Sequence, residues 1–368
     1  MQLEILQENF SKALLTATRF VSTRAQLPVL GNIYLKTEKN KLLICSTNLE
    51  ISVAISIGAK IKEEGIITVP GRILSELVTN LNPGPLTLKA EKEILEISSS
   101  GFSANISGMN AADFPEIPKD SGKPSFSFPN EVFLQGISQI SFAASIDETR
   151  PVLTGVLFIF KKDGIVLVAT DGFRLSQKRL PLKGVAKERK MILPKNTLIE
   201  LSRLVTDADE AISFREEENQ AIFIFEGTVL SSRILEGEFP DFEKIIPKET
   251  KIKVSLDKED LLRAVKLASV FAKDSANIVR FSLKKDSLLV SAESQLSGKQ
   301  EGEIEAKTEG LSGEFEIAFN YRFLEEFLHA VKGEDVIIGL SSENSPGVFR
   351  DPGDPGFLHL IMPVRVQV

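Results

Sequence analysis

A chain of 368 residues exceeds what one ordinary core supports and suits two or three domains. Its 42% hydrophobic and 26% charged residues exclude a disordered class, and no apolar run reaches the roughly eighteen residues of a membrane span. One cysteine excludes an internal disulfide framework, and a net charge of −7 predicts long-range repulsion of nucleic acid unless basic groups gather on one surface. The opening MQLEILQENF lacks a basic segment followed by an apolar one, so no secretory leader and a cytoplasmic location are expected.

Taken in chain order, the predicted elements recur. Phe10, Ala13, Leu14, Ala17, Phe20 and Val21 fall at helical spacing and predict an amphipathic opening helix. Lys39-Asn40 signals a hairpin before the alternating run LLICSTNLE, where Cys45 suits a buried strand thiol better than a nucleophile. In VPGRILSELVTNL, starting at Val69, the residues Leu74, Leu77, Val78 and Leu81 make a second helical stripe, with Pro70 suited to its start. A turn-rich polar stretch at 115–125 ends this pass.

The second pass has a less regular helix from Asn130 to Ser145 and a hairpin signal at Asp163-Gly164. The run IVLVATDGF around Thr170 echoes the one around Thr47. LPKNTLIELSRLV stands 124 residues after its counterpart, with Leu198, Leu201, Ser202 and Val205 on the stripe and only the serine breaking it. Gly237-Glu238-Phe239-Pro240 repeats Ala112-Asp113-Phe114-Pro115 after 125 residues, and a polar stretch at 246–251 follows. The third pass opens with Leu261, Ala264, Val265, Ala268 and Phe271. It echoes the strand faintly in LLVSAESQL and ends in FNYRFLEEFLHAV, 126 residues on, with Leu324, Phe327, Leu328 and Val331. Four landmarks at one period predict an α+β chain of three tandem similar domains, residues 1–120, 126–247 and 251–368, each with two helices packed on antiparallel sheet.

Catalytic signatures are missing. His329 and His359 are the only histidines, and each suits a structural place; no metal-ligand spacing, phosphate loop or nucleophile elbow is present. Neither a metal nor a cofactor is expected. Asp171-Gly172 reads as a tight turn or as a catalytic aspartate near a domain junction. Adjacent carboxylates such as Glu325-Glu326 and Glu216-Glu217-Glu218 point apart or line a loop, which suits no acid/base pair. A scaffold is the leading expectation; an enzyme centred on Asp171 and a monomeric peptide-binding adaptor are the alternatives.

Several of these residues carry a family likeness. Gln26-Leu27-Pro28-Val29-Leu30-Gly31-Asn32, Thr47-Asn48-Leu49-Glu50, Thr68-Val69-Pro70, Ala111-Ala112-Asp113-Phe114-Pro115, Ala169-Thr170-Asp171-Gly172-Phe173-Arg174-Leu175 and Met362-Pro363-Val364-Arg365 resemble signatures of the bacterial DNA polymerase III beta subunit family, the sliding clamps. The set spans all three repeats. Val364 departs from the methionine frequent in the family's tail, and the loop from Ser345 to Gly356 is rich in proline and glycine.

The resemblance implies the DNA clamp fold: a non-catalytic head-to-tail homodimer closing into a ring around double-stranded DNA, read without regard to sequence. It implies DNA-facing Lys12, Arg19, Arg24, Arg72, Arg150, Lys195, Arg203 and Lys266. Ile106, Val270 and Phe271 suit either the dimer contact or ordinary core. It also implies a pocket for short partner peptides at Leu153, Thr170, Gly172, Phe173, Arg174, Leu175, Pro240, Lys244, Ile245, Pro346, Val348, Leu360, Met362, Pro363, Val364 and Arg365. The partners implied are the replicative polymerase alpha subunit, the clamp loader, other polymerases, mismatch-repair proteins and ligase, with no membrane partner.

Overall fold

The computed structural model describes residues 1–22, 27–119, 122–182, 188–206 and 211–365. Among the described residues, six α-helices alternate with short strands: α1 (Gln7–Ala17), α2 (Gly71–Thr79), α3 (Asn130–Ser141), α4 (Lys195–Leu204), α5 (Lys258–Ala272) and α6 (Tyr321–Ala330). The expected helix from Asn130 thus ends four residues early, at Ser141. Strands ending at Pro70, Pro194 and Asn320 run straight into α2, α4 and α6. Both prolines are the last residue of a strand at a sheet edge, where a missing N–H breaks no ladder. Asn320 does its capping with the side chain, Oδ1 accepting from the Arg322 N–H at 3.0 Å.

The chain forms two compact units, Met1–Asn130 with Glu200–Ile234, and Glu131–Ile199 with Leu235–Val368. They do not follow the three predicted repeats, because the sheets continue from one repeat into the next. In the first unit an eight-stranded antiparallel sheet joins four strands of the first repeat to four of the second, where Ile51–Gly58 pairs with Thr228–Arg233. In the second unit a nine-stranded sheet is joined the same way, where Arg174–Pro181 pairs with Phe357–Ile361. A five-stranded sheet completes the first unit and a four-stranded sheet the second.

The helical stripes supply the cores. Leu74 and Val78 of α2 and Phe10, Leu14 and Ala17 of α1 are buried where these two helices pack together. In the second unit Leu261, Val265 and Ala268 of α5 and Leu324, Phe327 and Leu328 of α6 share a cluster with Phe281, Phe319, Phe349 and Phe357. The rings of Phe281, Phe319, Phe349 and Phe327 follow one another at centroid distances of 5.5–5.7 Å. Each buried ring contributes about 1.5–3 kcal/mol, so this chain of aromatics is a main stabiliser of the unit. The hairpin at Lys39-Asn40 forms as expected; the other turns one residue early, at Lys162-Asp163, with Gly164 already paired to Lys161.

Candidate functional site

The two sheet joins are built on one turn, used twice. In the second unit, Gly164–Thr170 passes into Arg174–Pro181 through Asp171-Gly172-Phe173. Thr170 Oγ1 donates to the Arg174 carbonyl at 2.6 Å and accepts from the Gly172 N–H at 3.0 Å. Asp171 Oδ1 accepts from the N–H groups of Phe173 and Arg174 at 2.9 and 3.0 Å. Gly172 sits at φ +92°, where a side chain would be strained. In the first unit Thr47 and Asn48 make the equivalent bonds to Leu49, Glu50 and Ile51. Asp171 is therefore a turn residue.

Antiparallel pairing then aligns four side chains from four neighbouring strands. Thr170 stands opposite Leu175, Leu175 opposite Leu360, and Leu360 opposite Val348. The threonine hydroxyl is the only polar group in this row. Leu175, Val348 and Leu360 join a cluster with buried Phe242 and half-buried Phe239 and Ile246. Beside them Phe173 is 67% exposed and Ile245 and Met362 are also exposed. The Met362 N–H donates to the Phe173 carbonyl at 2.8 Å, fixing the tail against the turn. An exposed phenylalanine, isoleucine and methionine beside an apolar row leave surface that a ligand can cover with gain.

The remaining residues expected in the pocket vary in exposure. Leu153 is buried in a 3-10 turn, Pro346, Pro363 and Val364 are half-buried, and Pro240 and Arg365 are exposed. Lys244 is exposed and paired with Asp241 at 2.7 Å. Arg174 departs from the expectation. Successive strand residues point to opposite faces, so Leu175 takes the row and Arg174 the other side. There it is buried: Nε donates to Asp171 Oδ2 at 3.1 Å, Nη2 to the Phe142 carbonyl at 2.8 Å, and Nη1 to Glu326 of α6. Its guanidinium lies 4.4 Å from the Phe323 ring centroid and 5.5 Å from that of Phe142.

Lys195, expected to face DNA, is half-buried near this group, and burial, followed by the positive charge of Arg174, pushes its amino group below the usual lysine range. Of the other cations expected to face DNA, Lys12, Arg72 and Lys266 are exposed without an ion-pair partner among the described residues. Arg150 is exposed, and Arg24 lies outside the described residues. Arg19 and Arg203 share one carboxylate: Arg19 Nε and Nη2 donate to Glu200 at 2.7 and 3.0 Å, and Arg203 Nη1 at 2.8 Å. Of the residues read as dimer contact or core, Ile106 is 5% exposed, Phe271 is half-buried against the α5–α6 core, and Val270 is 60% exposed.

Three family models cover nearly the whole chain: the N-terminal domain of the DNA polymerase III beta subunit at residues 1–118, its central domain at 127–241 and its C-terminal domain at 243–365. The chain belongs to the DNA polymerase III beta subunit family. It is 28% identical over 99% of both chains to a beta sliding clamp of Staphylococcus aureus. The solved DNA polymerase sliding clamp of Bacillus subtilis superposes with TM-score 0.95 at 26% identity, and the beta subunit of Pseudomonas aeruginosa with 0.94 at 26%, each over the full length of both chains. A sliding clamp of Pseudomonas aeruginosa bound to griselimycin is similar at TM-score 0.92.

Within this beta-subunit frame, the motif reading overlooked three features. His359 is fully buried, its Nδ1 2.6 Å from Ser176 Oγ and its ring stacked on Phe327, while Nε2 has no partner among the described residues. The sharing of Glu200 joins residues 181 apart in sequence. Glu326 reaches Arg174 across 152 residues. The helix stripe around Glu200 and Glu326 marks them only as solvent-facing, so register across the sheets was needed to find these pairs. Among the described residues no group of histidine, cysteine and carboxylate side chains is arranged to hold a metal, and no helix is long and apolar enough to cross a membrane.

Proposed function

We propose that this chain is a DNA polymerase sliding clamp whose two copies close head-to-tail around duplex DNA and hold the replicative polymerase on its template. Its partners dock through short peptides at the row Thr170, Leu175, Leu360 and Val348. Exposed Phe173, Ile245 and Met362, beside an apolar row that is itself buried, are the observation that carries the peptide reading. The first unit supplies an internal comparison. Its corresponding row is Thr47, Ser52, Ser231 and Ile222, with the two serine hydroxyls bonded to each other. The same turn there carries Glu50 where the second unit has exposed Phe173. A peptide bringing two hydrophobic side chains gains about 1.5–3 kcal/mol for each one buried on an apolar row, and far less on hydroxyls already satisfied. One peptide site per protomer follows.

The repeat also supports a way for two copies to join. Ile51–Gly58 pairs with Thr228–Arg233, and Arg174–Pro181 with Phe357–Ile361. The third version of this edge, Gly298–Glu305, ends the four-stranded sheet, and Phe102–Ser107 ends the five-stranded one. In the proposed dimer, Gly298–Glu305 pairs with Phe102–Ser107 of the partner subunit, a heterologous contact that two copies repeat to close a ring. Val270 and Phe271 at the end of α5 and Ile106 of the edge strand flank that seam. The three domains at 1–120, 126–247 and 251–368 then act as six similar segments of the ring.

The clamp works in the cytoplasm without chemistry of its own. An external ATP-driven loader opens it, and the polymerase alpha subunit, other polymerases, mismatch-repair proteins and ligase compete for the peptide site. Lys12, Arg72, Arg150 and Lys266 give it weak, sequence-independent phosphate contacts that permit sliding. The test is retention after loading on nicked circular DNA and on the same DNA linearised. Retention on the circle with loss from free ends supports encirclement. Equal retention on both overturns it, and loss from both with an active loader present favours the adaptor or enzyme reading.

A further inference from the structure

We propose that Glu200 is a built-in phosphate substitute that holds Arg19 and Arg203 away from DNA and so limits how tightly the clamp grips the duplex. The inference rests on the encirclement reading and concerns the strength of contact inside the ring.

The geometry is specific. Glu200 of α4 is 18% exposed at its side chain and accepts three hydrogen bonds from two arginines. Arg19, in the 3-10 turn Thr18–Phe20 that ends α1, engages both carboxylate oxygens with Nε and Nη2, the fork that guanidinium also offers a phosphate. Arg203, one helical turn after Glu200, takes the oxygen already shared with Arg19. Isolated surface ion pairs hold little, yet a two-pronged fork on a largely covered carboxylate, shared by a second arginine, is the arrangement that holds best. Two of the eight cations expected to face DNA are thus occupied, and the trio carries a net charge of only +1.

The energetic consequence follows from counterion release. Each phosphate neutralised contributes about 0.9 to the slope of log affinity against log salt. Replacing Glu200 by glutamine keeps the side-chain shape and removes the charge that competes with phosphate. Both arginines then become available, and the slope steepens by about one to two. A clamp that must slide gains from fewer such contacts.

The experiment compares wild type with Glu200→Gln, Glu76→Gln and Arg19→Ala/Arg203→Ala in salt titrations of binding to a short open-ended duplex, onto which a closed ring threads. Glu76 is an exposed α2 carboxylate and controls for the mere loss of one negative charge. The expected result is a steeper slope and tighter low-salt binding for Glu200→Gln, little change for Glu76→Gln, and no steepening with weaker binding for the double alanine variant, which leaves the Glu200 charge unpaired. Equal effects of the two glutamine variants overturn the proposal in favour of bulk charge. Weaker binding by Glu200→Gln overturns it too, because Glu200 then organises the arginines for phosphate. Retention of the wild type on circular over linear DNA, measured in parallel, tests encirclement separately: if that fails while the slopes differ, the ring reading falls and the latch stands for open-surface binding.

Discussion

Replacing Arg174 by methionine separates two roles that the motif around Thr170 leaves joined. If Arg174 contacts the peptide, the variant loses affinity and keeps its stability. In the structure the guanidinium is only 8% exposed and spends its donors on Asp171, Glu326 and the Phe142 carbonyl. Methionine preserves much of the packing of the stem against Phe142 and Phe323 but none of these bonds. Hydrogen bonds to charged groups contribute about 1.5–3 kcal/mol each, and the cost of burying the guanidinium offsets a large part of the three together. Glu326 remains solvated when its partner is gone, whereas Asp171, 17% exposed, keeps only its backbone donors. A net loss of about 2–4 kcal/mol follows for the second unit.

Urea unfolding at pH 7, read by near-ultraviolet dichroism and by amide exchange within residues 235–365, measures that loss. With a slope of about 1–3 kcal/mol per molar urea, the midpoint falls by roughly 1–2 M. Peptide affinity falls as well, by about five- to tenfold, because the turn bearing Phe173 loses its buried anchor. A stability change under about 0.5 kcal/mol, within the range of ordinary surface substitutions, would refute the reasoning and return Arg174 to the pocket. Unchanged affinity with lost stability would show that Asp171 and Thr170 hold the turn unaided.

Leu360→Ser makes the second row resemble the first at a buried position and so loosens the cluster under Phe173 and Met362; in protein that is still folded and dimeric, peptide binding is expected to fall by more than tenfold, measured by calorimetry, and retained affinity removes the row from the site. Val270→Asp places a charge on a 60% exposed position without touching the core, so sedimentation is expected to show folded monomers; a persistent dimer moves the seam elsewhere. His359 titrates well below the ordinary histidine value because burial, and then Arg174, disfavours its cation. The unfolded chain therefore binds the extra proton, and stability, full above about pH 6.5, declines as pH falls from there towards the folded value, at up to about 1.4 kcal/mol per pH unit. Urea midpoints at pH 5.5 and 7.5 for wild type and His359→Phe check this, and identical pH slopes would contradict it. The Cys45 thiol, pushed up to about 12 by burial, is expected to react with a thiol reagent only on unfolding; modification of the native protein at the rate of a free thiol would place it at the surface.

The parts of the fold legible in the sequence are those governed by local periodicity. The stripes of Leu74 and Val78, Leu198 and Leu201, and Leu324 and Leu328 mark helices because each must bury one face, and all six residues are buried. Cys45 is buried as expected, though its strand is covered on both faces rather than alternating. The turns at Thr47 and Thr170 are legible through Asn48 and Asp171, whose short side chains cap backbone N–H groups. What stayed hidden depends on register between strands distant in sequence. A contiguous motif presents Arg174 and Leu175 as equals, but a strand sends them to opposite faces. Lys195 looks like a free cation at a helix start until the group around Arg174 is seen beside it. Glu200 reads as one acid among many until Arg19 arrives from another helix.

One geometry repeated along a chain need not have one function, and here the side chains of a single row decide. At the first sheet join, Ser52 and Ser231 satisfy each other and give the seam nothing to offer a peptide. At the second, leucines in the same places are themselves buried, and exposed Phe173, Ile245 and Met362 beside them leave the apolar surface that a partner can cover. At the third, Gly298–Glu305 bears charges where the others bear leucine or serine. Its Lys299, opposite Glu293, stands at an edge left unpaired within the chain. Lysine and glutamate on an edge strand discourage indiscriminate pairing, and in the proposed dimer this edge meets a strand of polar character. Phe102–Ser107 is such a strand, with Asn105 opposite Glu96. On the proposed reading, closed join, binding site and subunit seam arise from the same strand pairing, distinguished by whether its row is hydroxyl, hydrocarbon or charge.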